Sequence, residues 1–221
     1  MSFDEFINGL NDVEKDNYYK YSAVRGGQIY KIIYDALSKK NSNVSYLDVN
    51  SFVRYDKSIK DVLYTYIGTL EDLIRKHIFK NFDLKKGIEY QEYYEKCDEF
   101  KDILVRIDNK NDNVSELYSR WSLMMKETIK FLNKYDKSTF NLNNLEQVRK
   151  LRNKVMHHST LIFDSHGNSK CDATYNEIKC LYDVLPNNYG GLIKEINDRT
   201  NATRKNIKND YECFLLDLFK E

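Results

Sequence analysis

Apolar residues recur every three or four positions along most of this chain, which is the spacing of helices that bury one face. The widest stripe lies within residues 47–82 and consists of Val62, Leu63, Tyr66, Ile67, Leu70, Leu73, Ile74 and Ile78. A second stripe, within residues 142–161, consists of Leu142, Leu145, Val148, Leu151 and Val155. Only one proline and eight glycines interrupt 221 residues, which favours long helices over a many-turned β architecture. We therefore predict an all-α fold with at most a short hairpin.

Helical spacing predicts further helices around these two segments, strong over residues 114–135 and weak over 90–107. They cover residues 3–12, 28–37, 90–107, 114–135, 173–184, 189–199 and 205–219. Gly26-Gly27 predicts a turn or a helix start, and the polar run 38–45 predicts a loop. No internal repeat or linker divides the sequence, so we predict a single domain over residues 1–221.

The charges of the chain nearly balance. Lys and Arg number 35 and Asp and Glu number 34, for a formal net charge of +1. No global field therefore draws nucleic acid to the protein. An RNA site would have to come from local clustering of cations.

Several classes of protein and site have little support in the sequence. No apolar run approaches a membrane span, and the acidic start lacks the apolar core of a signal peptide, so we expect a cytoplasmic protein. The four cysteines are widely spaced, without a Cys-x-x-Cys pair, which is typical of reduced thiols rather than of disulfides or a zinc site. His-Glu-x-x-His and glycine-rich phosphate motifs are absent, so we expect neither a metal nor a nucleotide cofactor.

The second stripe carries a polar face with possible chemistry. At about 100° per residue, Val148, Leu151, Val155 and His158 fall within an arc of roughly 80° and form the expected core face. Arg149, Arg152, Asn153, Met156 and His157 fall nearly opposite, with Arg152 and His157 roughly 140° apart at the edges of their arc. By spacing alone, such a face is more often solvated surface than a site.

Arginine and histidine together suit the cleavage of RNA without a metal. The reaction needs a base for the 2′-hydroxyl proton, an acid for the leaving 5′-oxygen and positive charge on the phosphate. Histidine transfers protons near neutral pH, and arginine presents a planar fork that matches two phosphate oxygens. An intervening asparagine can hold the phosphate or orient the imidazole.

The residues of this segment resemble a known motif. Arg152-Asn153-three residues-His157 matches the Arg-x4-His motif of HEPN domains, and the flanking Leu151 and His158 resemble the version in abortive-infection (Abi-like, AbiF/AbiD type) bacterial proteins. Upstream, the pair Tyr55-Asp56 followed by Glu71 and Arg75 resembles another helix of that family. The resemblance covers roughly residues 20–165.

This resemblance implies a HEPN-like helical bundle, with its core at about 47–162 and accessory helices within 1–40 and 173–219. It implies a metal-independent endoribonuclease that acts against phage, with two motifs meeting across a homodimer. Arg152, Asn153 and His157 would be catalytic, with His158, Glu71 and Arg75 in support. Glu71 could pair with Arg75 four residues on, or hold Arg152 in place; the first is the simpler expectation. Some HEPN toxins have a modified tyrosine where Ser159 stands, so we do not expect that control here.

Two groups of cations are candidate RNA contacts. Arg149, Lys150 and Lys154 flank the motif, and a second patch consists of Arg199, Arg204, Lys205 and Lys208. Either group could equally be a solvated face. The alternative function is a non-catalytic protein that binds a structured non-coding RNA in a defence or toxin–antitoxin complex. A dimeric scaffold with a vestigial motif is a weaker third hypothesis.

Overall fold

A computed structural model describes residues 1–81 and 125–207. In this part of the chain the α-helices are α1 (Phe3–Asn8), α2 (Asp12–Arg25), α3 (Gly27–Ser38), α4 (Tyr46–Asn81), α5 (Met125–Tyr135), α6 (Leu142–Met156), α7 (Cys171–Val184) and α8 (Leu192–Arg204), with a 3-10 turn at Asn187–Tyr189. The β pairing of these residues is one isolated antiparallel bridge, between Phe163 and Ser169. The predicted all-α fold is confirmed.

Helix α4 is the axis of the fold. Helices α3, α6 and α8 all pack against it. Five residues of its predicted apolar stripe are buried, namely Val62, Leu63, Ile67, Leu70 and Ile74. Tyr66 and Leu73 are only partly buried. Full burial of one such side chain contributes about 1.5–3 kcal/mol. Helix α4 thus provides the apolar surface on which α3, the motif helix α6 and the last described helix α8 pack.

Helix α6, which carries the Arg-x4-His segment, is enclosed on several sides. It packs against α7 and α5 as well as α4. Leu145, Val148, Leu151 and Val155 are buried, as their spacing predicted. The opposite arc of α6 therefore carries the residues that can meet a ligand.

The N-terminal region contains a helix that the apolar pattern did not predict. Helix α2 has polar residues around most of its surface, so it lacks the stripe by which the other helices were recognised. Its start is nevertheless encoded locally, because Asn11 and Glu14 form a reciprocal capping box. Gly26 then separates α2 from α3 with a φ of 83°, a conformation that glycine adopts without strain. The predicted interruption at Gly26-Gly27 is confirmed.

Some predicted boundaries differ from the structure. The helix expected at 189–199 is a 3-10 turn followed by α8, which continues to Arg204. The helix predicted for 90–107, residues 114–124, Lys208 and most of 205–219 lie outside the described residues. Within the described ranges, no helix is long and apolar enough to cross a membrane.

The prediction that every cysteine is a reduced thiol is wrong for Cys171. Cys171 is disulfide-bonded, whereas Cys180 is free and partly buried. Disulfides are rare in a reducing cytosol. Cysteine usage therefore no longer supports the expected cytoplasmic location.

Candidate functional site

The motif helix ends earlier than the sequence predicts. Helix α6 stops at Met156, with His157 as its C-cap, instead of continuing to residue 161. The N–H of His158 donates to the carbonyl of Val155 at 3.3 Å, and that of Ser159 donates to Lys154 at 3.0 Å. These two bonds define a Schellman motif, which normally has glycine where His158 stands. The usual sequence signal for a helix end is therefore missing.

His158 consequently lies on the surface rather than on the core face. Its φ is 55°, in the left-handed region where a non-glycine residue costs roughly 1–3 kcal/mol. Histidine is among the residues found there more often than most. His157, His158 and Ser159 are all exposed. We call these three residues the histidine turn.

A buried ion pair on α4 contacts the histidine turn and the chain just after it. Asp56 pairs with Lys60 one helical turn later, and both side chains are buried. The Asp56 carboxylate accepts the N–H of Leu161 at 2.6 Å. The Lys60 ammonium donates to the carbonyl of His158 at 3.5 Å. The chain is thus anchored to α4 as it leaves α6, and these contacts stabilise the left-handed residue.

Arg152 lies in a different environment, between α4 and α6. Its Nε donates to the Glu71 carboxylate at 3.2 Å, and the two side chains are only 13% and 11% exposed. Burial raises the pKa of Glu71, and the nearby charges of Arg152 and Arg75 oppose that shift without cancelling it. Arg75, the other expected partner of Glu71, pairs with Asp72 at 3.0 Å. Glu71 instead holds Arg152, the less simple of the two expectations.

The predicted RNA contacts beside the motif are largely engaged within the protein. Arg149 forms two hydrogen bonds with Glu146, at 2.9 and 2.5 Å. Lys154 reaches Glu177 of α7 at 2.7 Å. Lys150 is exposed and close to Gln147. Asn153 is partly buried, and its carbonyl accepts the N–H of His157 at 3.0 Å. Little unpaired positive charge remains on this arc.

The second predicted cationic patch lies on another helix. Arg199 pairs with Glu195 at 3.5 Å, with both side chains well exposed. Arg204 and Lys205 follow at the end of α8. Helix α8 packs on α4, so this patch and the cations of the motif lie on two different helices that both contact α4.

Sequence reasoning missed a lysine cluster behind the histidine turn. Lys60, Lys154 and Lys170 come from α4, α6 and the residue that precedes α7, and Asp56 and Glu177 are the nearby carboxylates. Burial lowers the pKa of Lys170, and the charge of Lys154 lowers it further, against the opposing effect of both carboxylates. These residues come from four different stretches of sequence, so no local spacing links them.

Sequence reasoning also missed a pocket beside the turn. Its volume is about 440 Å³, and its walls come from α2, α3, α4 and the end of α6, including His158.

Among the residues that the structure describes, no three His, Cys, Asp or Glu side chains are arranged to bind a metal ion.

The fourth histidine of the chain has a structural environment. His77 of α4 lies 2.7 Å from the Asp136 carboxylate, just beyond α5, and its ring packs edge-on against Phe140. Burial raises the pKa of Asp136, but hydrogen bonds with His77 and Thr139 outweigh it and hold that pKa below its usual value. The pair fastens the start of the α5–α6 connection to α4.

Comparisons with protein-family models, curated proteins and solved structures find no match to this chain. The likeness to Abi-like HEPN proteins therefore rests on the residues of the motif and its upstream helix. The geometry adds two chemical facts. His157 is open to solvent, where an imidazole can exchange protons with a ligand, and the Arg152 guanidinium is oriented by a buried carboxylate.

Proposed function

We propose that this protein is an HEPN-type, metal-independent endoribonuclease that acts in abortive infection. The observation that carries the proposal is the end of α6. There an exposed imidazole, His157, follows an arginine whose orientation Glu71 controls. Phosphodiester cleavage requires a preorganised cation and a proton-transfer group, and this motif supplies both.

In the proposed reaction, one His157 removes the proton from a ribose 2′-hydroxyl. The 2′-oxygen attacks the adjacent phosphorus, the bond to the 5′-oxygen breaks, and an acid protonates the leaving oxygen. The products are a 2′,3′-cyclic phosphate and a 5′-hydroxyl. Arg152 stabilises the charge on the phosphate, while Asn153 binds the phosphate or orients the imidazole.

One chain supplies one His157, but the reaction uses both a base and an acid. We therefore propose a homodimer in which the two histidine turns face each other near a two-fold axis. A two-fold interface brings identical residues together, so the second His157 is available as the acid. Light scattering that gives a monomer, both free and with RNA, would contradict this arrangement.

A second candidate function is RNA binding without cleavage. It is favoured by the pairing of Arg149 with Glu146, Lys154 with Glu177 and Arg152 with Glu71. These carboxylates reduce the positive charge available to a scissile phosphate. In this function the protein would hold a structured non-coding RNA in a defence or toxin–antitoxin complex.

The experiment that separates the two functions uses the purified wild-type protein and the RNA that co-purifies with it. Scattered fragments with cyclic-phosphate ends, formed equally in the presence of a chelator, support the nuclease. One intact species, protected indefinitely, contradicts the nuclease and supports the binder. We place either activity in the bacterial cytoplasm, and fractionation of cells that express the tagged protein tests that location.

A further inference from the structure

The pocket next to the histidine turn has the shape of a small-ligand site. It opens between α2 and α4, and His158 forms part of its wall. Its volume of about 440 Å³ falls within the range of roughly 300–1,000 Å³ that is usual for pockets that enclose small ligands. Its size therefore suits one small ligand, such as a nucleotide.

Part of the pocket wall is apolar, and the wall includes two aromatic rings. Val53, Val155 and Ile29 line its inner part, and Tyr21 of α2 and Tyr64 of α4 line it as well. Tyr21 and Tyr64 are 38% and 61% exposed. Exposed tyrosines over an apolar floor can stack on a nucleobase, because every base has an aromatic face.

The charged groups of the pocket favour an anionic ligand. Its two carboxylates are already engaged, Asp56 by Lys60 and Asp61 by Lys57. Lys20 adds a further positive charge and lies 5.7 Å from the centre of the Tyr21 ring. The net charge of these five side chains is thus positive, which complements a phosphate.

We propose that this pocket binds one unpaired nucleotide of the RNA that the histidine turn engages. The base lies against Tyr64 and the apolar floor, and the phosphate lies near Lys20 and His158. His158, which lines the pocket, directly follows the catalytic His157 in the chain. The nucleotide bound in the pocket therefore determines which phosphate reaches the imidazole of His157. This inference rests on the proposed action on RNA and adds recognition of single-stranded RNA to it.

Fluorescence anisotropy with a short, labelled, single-stranded RNA of mixed sequence tests the pocket. The His157→Ala background prevents cleavage during the measurement. Adding Tyr64→Ala should weaken binding roughly 5- to 150-fold, the usual effect of one lost base stack, and Tyr64→Phe should retain it. Tyr19→Ala is the matched control, because Tyr19 is 59% exposed but does not line the pocket.

The same RNA with abasic sites separates base recognition from attraction to the backbone. The His157→Ala protein and the same protein with Tyr64→Ala added should bind the abasic RNA equally. Lys20→Ala should reduce the slope of log affinity against log salt by about 0.7, as expected for one lost phosphate contact on a single strand. Crosslinks from 4-thiouridine should map to peptides that contain Tyr21 or Tyr64.

The outcomes distinguish failure of the pocket from failure of the nuclease. Equal binding of intact RNA by Tyr64→Ala and its parent overturns the pocket, even if the wild-type protein cleaves RNA. Binding that depends on Tyr64, in a protein that never cleaves RNA, supports the pocket and removes the nuclease. A wild-type protein that binds no RNA overturns both.

Discussion

Arg152 and His157 belong to one six-residue motif, yet the structure gives them opposite surroundings. Arg152 is largely enclosed between α4 and α6 and paired with Glu71. His157 caps the end of α6 and is exposed. A helical wheel places both on one polar arc, but it carries no information about depth. The arginine is therefore coupled to the stability of the fold, and the histidine is not.

The candidate site combines an ordered backbone with an exposed imidazole, because its supporting contacts come from α4. Asp56, Lys60 and Glu71 all lie on α4, and all three side chains are largely shielded from water. They reach across to α6 and to the chain beyond it. Groups on a buried helix position a ligand more reproducibly than groups on a loop. The contacts with α4 therefore fix the conformation of the exposed histidine turn.

The largest difference between the two residues should appear in stability. Arg152→Ala leaves the buried Glu71 carboxylate without its partner, and breaking a buried pair in this way typically costs about 3–5 kcal/mol. His157→Ala removes only an exposed ring and should change the free energy of unfolding by about 0.5 kcal/mol or less. Urea denaturation of both variants measures the contrast.

A compensating change sharpens that result. Glu71→Gln combined with Arg152→Met removes both charges, so most of the lost stability should return. If the double variant is as unstable as Arg152→Ala alone, the cost lies in the packing of the side chain and not in the unpaired carboxylate.

The anchor of the histidine turn should be the next most sensitive feature. Asp56→Asn preserves the shape of the side chain but leaves the buried Lys60 ammonium without its carboxylate, at a cost of roughly 3 kcal/mol. The double variant Asp56→Asn with Lys60→Met should recover part of this. Thermal unfolding followed by circular dichroism provides the measurement, and a lone Asp56→Asn with unchanged Tm would contradict the anchoring role.

The left-handed residue of the turn should respond in the opposite direction. His158→Gly removes the steric cost of a φ of 55° and should stabilise the protein by about 1 kcal/mol. His158→Val should destabilise it, because β-branched side chains fit this conformation poorly. The urea midpoints of the two variants should therefore move apart; midpoints that move together would show that the turn is unstrained.

The lysine cluster should give a small effect that depends on pH. Because the pKa of Lys170 is lower in the folded state than its ordinary 10.5, the unfolded chain binds more protons between those two pKa values. The contribution of Lys170 to the free energy of unfolding therefore rises with pH between its folded-state pKa and 10.5, and it is lowest below that range. Lys170→Met should be more stable than wild type at neutral pH, with an advantage that shrinks as the pH approaches about 10.5. An advantage that does not vary with pH would rule out this explanation.

The sequence predicted best what is local and periodic. The stripes of α4 and α6 located both helices, the buried residues of α6 and those of the C-terminal half of α4, because one apolar side chain per turn is a strong signal. Helix α2 lacked that signal, and its capping box at Asn11 and Glu14 was the evidence that could have located it. The end of α6 was hidden because His158 replaces the expected glycine.

The site was harder to predict because its contacts join distant parts of the chain. Asp56 reaches the N–H of Leu161 and Lys154 reaches Glu177, and no spacing along the sequence connects either pair. Glu71 had two plausible partners, at four residues and at 81, and only the packing of α4 on α6 selects the distant one. The pocket likewise arises where four helices meet.

The most direct test of the proposed nuclease is the single-turnover rate of RNA cleavage by His157→Ala, measured with chelator present. His166→Ala is the matched control, since His166 is also exposed but lies in the loop between α6 and α7. We predict that His157→Ala lowers the rate by about 10²–10⁴-fold, as expected for loss of a proton-transfer group, and that His166→Ala leaves it unchanged. Equal cleavage rates for the two variants would contradict the proposed catalytic role of His157.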